Sequence, residues 1–204
     1  PEAAHQMGAA YTGIFFYDTA FWPVSVPFIY GQVSLIPVEC LESMPVEIKI
    51  MLENNQQDFL TYEAHWFDCI DYSYGQIDIE ETSILKPRAS EFLKAAHLTF
   101  VGANSQLLDK QPNSQAIQNM RMASETFLKT VLIQELDLTE KKLKGISHNL
   151  EAAANACVTA TNDDIYKKIS ARVSLYPSVS SRYENTSYSN IELWQAAMLT
   201  QFIG

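Results

Sequence analysis

Glycine is scarce in this 204-residue sequence, with seven in all, and no Gly-x-Gly-x-x-Gly, phosphate-loop, Gly-x-Ser-x-Gly or His-Glu-x-x-His pattern occurs. Phosphate-cradling loops and nucleophile elbows need glycine where the backbone turns sharply or comes close to a ligand, so the common nucleotide-binding and hydrolase classes lose their basis. Cysteine is sparse too. Cys40, Cys69 and Cys157 are odd in number and far apart, with neither a C-x-x-C pair nor a histidine at metal-ligand spacing. They read as reduced, buried thiols of a cytoplasmic protein, and neither a metal nor a cofactor is expected. Basic charge is also in short supply, 14 Lys and Arg against 24 Asp and Glu for a formal net charge of −10. Gripping phosphates by counterion release needs a basic face, so the balance disfavours nucleic acid as a partner. Lys141, Lys142 and Lys144, with Lys167, Lys168 and Arg172 further on, are the basic clusters, and solvated helix ends and faces account for them.

Charge is missing altogether from Ala20 to Val38, a run near the length of a membrane span. Pro23, Pro27 and Pro37, with Gly31 and Gln32 between them, would break a spanning helix and leave backbone groups unpaired in lipid, so no membrane helix is expected. The sequence opens on Pro1 rather than Met and closes at Gly204 within a helical pattern, so its ends carry no weight in placing the protein.

What is abundant is apolar and aromatic side chain, 47% and 11% of the residues, enough for a substantial core. Tyr11–Tyr17 and Phe28–Val38 are rich in aromatic and β-branched residues and read as two or three short strands. From Pro45 the spacing turns helical. Val46, Ile50 and Phe59, then Leu60, Ala64, Phe67, Ile70 and Tyr74, predict one or two helices with a break near Asn54 and Asn55 and an end at Gly75. Pro87 is a helix start. Beyond it, one stripe runs through Phe92, Ala95, Ala96, Phe100, Ala103 and Leu107, and a second through Ile117, Met120, Ser124, Phe127, Leu128, Val131 and Leu132. The Gln111-Pro112-Asn113 link between them forces an antiparallel return. A third helix is expected from near Ser147, a fourth capped by Asn162 or Asp163, and a last one from Ser189 or Asn190. The fold class is therefore mainly α, an antiparallel bundle of four to five helices over residues 87–204. An N-terminal extension, residues 1–86, adds strands plus one or two helices packing on the bundle.

Three stretches carry a family likeness. Arg121-Met-Ala-Ser-Glu-Thr-Phe-Leu-Lys-Thr-Val-Leu-Ile133 has an alanine-bearing turn followed by Lys and paired apolar residues. Gly145-Ile-Ser-His148-Asn-Leu150 opens the next helix, and Ser181-Arg182-Tyr183-Glu184 followed by Tyr188 precedes the last. In order and spacing these resemble the second helix, the Gly-His-Asp-Leu stretch and the Arg-Tyr-Pro segment of the HEPN family, with Asn149 for Asp and Glu184 for Pro. The resemblance covers roughly 110 residues and implies a helical bundle, a dimer, and a link to prokaryotic toxin–antitoxin or defence systems. The nuclease branch of that family carries an Arg separated by four to six residues from a following His. Here eight residues separate Arg88 from His97, no Arg is within reach before His148, and no His follows Arg172 or Arg182. The motif is absent and no catalytic residue is assigned.

His148 is the histidine of most interest, because it lies near a helix start where ring nitrogens meet backbone groups. Arg182, Tyr183 and Tyr188 are its candidate partners in holding an anion or nucleotide, and the structural alternative is that they tie together the loops joining the last helices. Glu63, His65, Asp68 and Asp71 are close in sequence but supply too few convergent ligands for a metal, and a solvated helix face is preferred for them. Three functions follow. The first is a non-catalytic HEPN-like binding protein acting as a homodimer or with a small protein partner, such as a nucleotidyltransferase-type toxin subunit. The second is a ribonuclease or nucleotide-binding enzyme with a site around His148 and Arg182. The third is a scaffold that associates through its N-terminal strands.

Overall fold

The computed structural model describes residues 9–146, 148–179 and 187–204. Among them the protein is mainly helical, with eight α-helices and one two-stranded antiparallel sheet. The chain divides into two compact units, Pro1–Gln76 and Ile77–Gly204, and the division falls inside a helix. No helix among the described residues is long and apolar enough to cross a membrane. The uncharged run instead begins as a strand and continues as irregular chain.

In the first unit β1 (Tyr11–Tyr17) and β2 (Ala20–Val26) form a hairpin closed by Asp18 and Thr19, both at positive φ (47° and 69°). Two such residues make the tight turn whose twist suits a hairpin. Counting from the Tyr17–Ala20 pair that closes it, alternate pairs lack cross-strand hydrogen bonds, and Ile14–Pro23 is one of these. Pro23 therefore forfeits no sheet bond, and the Ile14 carbonyl points away from β2. The expected strand over Phe28–Val38 does not form. With no third strand for it to pair with, its backbone is tied to side chains instead: Ile29 N–H donates to the Tyr74 hydroxyl at 2.7 Å, which donates on to the Pro27 carbonyl at 3.1 Å. A 3-10 turn, Pro37–Cys40, follows, and the Pro37 carbonyl accepts from the Tyr62 hydroxyl at 2.6 Å.

Helix α1 (Val46–Asn54) and α2 (Gln56–Thr82) meet at the expected break. Asn55 leaves helical backbone to end one, and its side-chain oxygen accepts from Asp58 N–H at 3.3 Å to cap the other. Gly75 does not end α2, which runs on to Thr82. Its buried face is also not the expected stripe. Tyr62, His65, Trp66, Cys69 and Tyr72 are buried, whereas Leu60 and Phe67 are 51% and 57% exposed, as are Val46 and Ile50 on α1. Two apolar stripes compete on α2, and the one of aromatic and small polarisable groups lies under β1: Tyr62 packs on Phe15 and Tyr72 on Tyr11, both at 4.9 Å between ring centroids.

His65, placed by sequence on a solvated face, is 3% exposed. Its Nε2 lies 2.7 Å from the Ile14 carbonyl, which can only accept, so Nε2 carries the proton. Burial holds the ring neutral and lowers its pKa to about 4. Gly13 lets the strand come this close, since a Cβ there would stand 2.6 Å from Cys69 Sγ.

The second unit is built on α3 (Pro87–Leu108) and α4 (Ala116–Leu136). Along α3, Ala89, Ala96 and Ala103 recur every seven residues, alternating with Leu93, Phe100 and Leu107, and all six are buried. Small and large side chains in alternation give the close, interlocked contact with α4. Of the two expected stripes, Phe92 and Ala95 prove respectively half-buried and exposed, while on α4 only Val131 is not fully buried. Helix α4 is flanked by α3, by α6 (Leu150–Thr161) and by α8 (Asn190–Ile203), and it buries residues around nearly its whole circumference. The short α7 (Ile165–Ser170) is the expected fourth helix, and the short α5 (Glu140–Ile146), which is not among those expected, brings the number after Pro87 among the described residues to six rather than four or five. Asn149 caps α6 by accepting from Ala152 N–H at 3.0 Å. Asn162 ends α6 in a left-handed conformation rather than starting a helix, while the Asp163 carboxylate accepts from Ile165 N–H at 2.9 Å. Ser189 and Glu192 form a reciprocal capping box at the start of α8.

Two predictions follow from the first unit. Gly13→Ala should lower stability by about 1–3 kcal/mol in urea unfolding, and adding Cys69→Ala should restore most of it by vacating the space the new methyl needs. For His65, the unfolded chain takes up a proton near pH 6.5 and the folded one near pH 4. Its stabilising contribution is therefore complete above about pH 6.5 and is lost progressively down to about pH 4, in total about 3 kcal/mol. Urea unfolding at pH 7 and pH 4.5, with His65→Asn as the reference, should show a pH-dependent difference of that sign.

Candidate functional site

Among the described residues the ionised side chains that are buried belong to one helix. Arg121, Glu125 and Lys129 stand four residues apart on α4, so they share a face; Arg121 and Glu125 are buried and Lys129 is partly exposed beside them. The Glu125 carboxylate accepts from Lys129 Nζ at 2.6 Å and pairs with Arg121 Nη1 at 3.6 Å. His148, in the turn between α5 and α6, completes the set with Nδ1 at 3.0 and 3.1 Å from the two carboxylate oxygens. The Arg121 Nη2 group donates to the main-chain carbonyl of His148. One buried acid thus fastens the turn that opens α6 to the central helix. A buried ion needs such partners, because its desolvation costs several kcal/mol and is repaid only by close, hydrogen-bonded opposite charge.

The geometry fixes the proton on His148. A carboxylate only accepts, so Nδ1 carries hydrogen and the lone pair of the neutral ring is on Nε2. The side chain is 57% exposed, and its Nε2 is directed away from Glu125 by the geometry of the ring.

Arg121 and His148 line a cleft of about 870 Å³, within the roughly 300–1,000 Å³ range of small-molecule sites. Its walls come from the start of α6 (Asn149, Leu150, Glu151), from the end of α7, and from a 3-10 turn, Val173–Leu175, with the residues after it. Tyr176 anchors that last wall. Its hydroxyl lies 2.7 Å from Ser124 Oγ and 2.8 Å from Thr200 Oγ1, a buried hydroxyl cluster joining α4 and α8. Burial pushes the phenol well above its usual range, against the pull of both hydroxyls and of the Arg121 charge, so Tyr176 stays neutral and structural.

Of the residues singled out from sequence, His148 is in the cleft. Tyr188 is half-buried just before α8 and is not one of the lining residues. Arg182 and Tyr183 lie outside the described residues. Two of the three stretches that carried the family likeness, Arg121–Ile133 and Gly145–Leu150, meet here through the Arg121, Glu125 and His148 contacts. Sequence reasoning missed Arg121, Glu125 and Lys129 as site residues. The available signal was three charges in i, i+4, i+8 register beside the apolar stripe of α4. The lysines 141, 142, 144, 167 and 168 and Arg172 are exposed, as expected of solvated faces. No group of three or more His, Cys, Asp or Glu among the described residues converges as a metal site. No family model matches this chain, and no curated protein or solved structure matches it either.

Removing the acid should expose how much hangs on it. Glu125→Ala strands Arg121 in the interior, leaves Lys129 without this partner, and should cost about 3–5 kcal/mol in urea unfolding. It should also release His148, seen as loss of the fixed Nδ1–H tautomer in imidazole NMR.

Proposed function

We propose that this chain is a binding protein of HEPN-like build, without a catalytic role, and that the cleft lined by Arg121, His148 and Tyr176 is where it recognises a small ligand. The observation that carries the proposal is the placing of a buried ion cluster at the wall of a cleft of ligand size. Charge kept inside carries a desolvation cost that close opposite charge must offset, and here it is kept beside a cleft. Family analogy adds a homodimer, or a complex with a small protein partner, as the form in which it acts.

A second reading, an enzyme acting on RNA or nucleotides around His148, draws on the carboxylate at Nδ1, which is the arrangement that supports a histidine as general base. The absent Arg–His motif ranks it behind binding.

The test is a small-molecule panel screened by NMR on the whole chain and on Ser174→Trp, which fills the cleft from its exposed 3-10 wall without touching the ion cluster. Ligands should shift amides around Arg121, His148 and Leu150 in the unmodified chain and lose that effect in the variant. Ligands that bind both proteins alike would overturn the assignment of the cleft. RNA cleavage abolished by His148→Ala would establish the enzyme instead.

A further inference from the structure

We propose that the cleft takes a small oxyanion, a phosphate-, sulfate- or carboxylate-type group, together with one proton carried by His148. The proposal rests on the cleft being the ligand seat and goes on to name the ligand's chemistry and the regulation of its binding.

Histidine is the side chain that ordinarily changes charge between about pH 5 and 8. At His148 both consequences of that change point into one place. The neutral ring is anchored through Nδ1–H on Glu125, and the described structure gives Nε2 no partner. A proton arriving from solvent adds to the Nε2 lone pair, turning that nitrogen from an acceptor into a charged donor while the Nδ1 bond persists. No other bond forms or breaks. Glu125 then faces three cationic groups, Arg121, Lys129 and the imidazolium, and the cluster carries two positive charges beyond its one carboxylate.

Among the described residues the other titratable or charged groups around His148 are few. Glu151 lines the cleft from the first turn of α6, Tyr176 from the far wall, and Lys144 stands in the last turn of α5 four residues before His148. Tyr176 is neutral and Glu151 brings one negative charge, so with the ring protonated the cluster and Glu151 together still carry one net positive charge. Asn149, Ser170, Ser174 and Ser178 line the same cleft and supply amide and hydroxyl donors suited to anion oxygens. An uncharged ligand would gain nothing from the proton. An oxyanion gains a charge-assisted hydrogen bond from Nε2–H, and by linkage its binding must in turn raise the affinity of His148 for that proton.

Sulfate is the probe, since it does not itself titrate in this range. The imidazole of His148, assigned by its loss in His148→Asn, is followed by NMR through pH in sulfate and in chloride at matched ionic strength. The expected result is a titration midpoint raised by about half a unit or more in sulfate, with shifts of the cleft amides. The affinity for sulfate should weaken by up to about tenfold per pH unit above the midpoint, and His148→Asn should remove that pH dependence. Sulfate that shifts the cleft amides equally at every pH, with the midpoint unmoved, would overturn the proton coupling and leave the ligand seat standing. Sulfate without effect, while uncharged compounds still bind and are excluded by Ser174→Trp, would overturn the oxyanion alone. Failure of charged and uncharged probes alike would remove the ligand seat and this proposal together.

Discussion

The Glu125 carboxylate is the constraint around which the second unit is arranged. Helix α4 has neighbours on most of its sides and Arg121 is buried among them, so an acid beside it is needed to make that burial tolerable, and Lys129 pairs with the same acid from the partly exposed edge. That acid in turn has a side left over, which His148 fills from another part of the chain. The contact decides where the α5–α6 turn lies, the turn delivers Asn149 to cap α6, and the start of α6 becomes one wall of the cleft. Fold and site share one cause here.

The two units treat histidine in opposite ways by the same rule. His65 and His148 each offer one ring N–H to an oxygen that can only accept. At His65 the acceptor is an uncharged carbonyl inside an aromatic layer, so a second proton has nothing to balance it and the ring stays neutral. At His148 the acceptor is a carboxylate and the side chain is more than half exposed. Identical side chains become a packing element in one case and a wall of a cleft in the other, and the partner makes the difference.

Much of the helical architecture was legible because its cues are local. Pro87, the Asn54–Asn55 break, the Gln111–Asn113 return and the Ser189 start act through a few neighbouring atoms, and each lies where the sequence pointed. The errors concern choices made by the tertiary structure. Phe28–Val38 has strand composition but no strand to pair with, so its backbone is tied to side chains such as Tyr74. Helix α2 carries two apolar stripes, and only the approach of β1 at Gly13 decides that Trp66 and Cys69 go inside while Leu60 and Phe67 face out. In the candidate site, His148 was legible from its position at a helix start. Its partner was not, because Glu125 lies 23 residues earlier and reads in isolation as an ordinary helix-surface charge.

The three thiols give the molecule internal clocks. All are free and buried, and burial raises the pKa of Cys40 and pushes that of Cys157 up to about 12. Alkylating reagents attack the thiolate, so labelling of such groups waits for the surrounding structure to open. Cys40 and Cys69 belong to Pro1–Gln76 and Cys157 to Ile77–Gly204, so a single mass-resolved labelling time course records the opening of each unit separately in the unmodified protein.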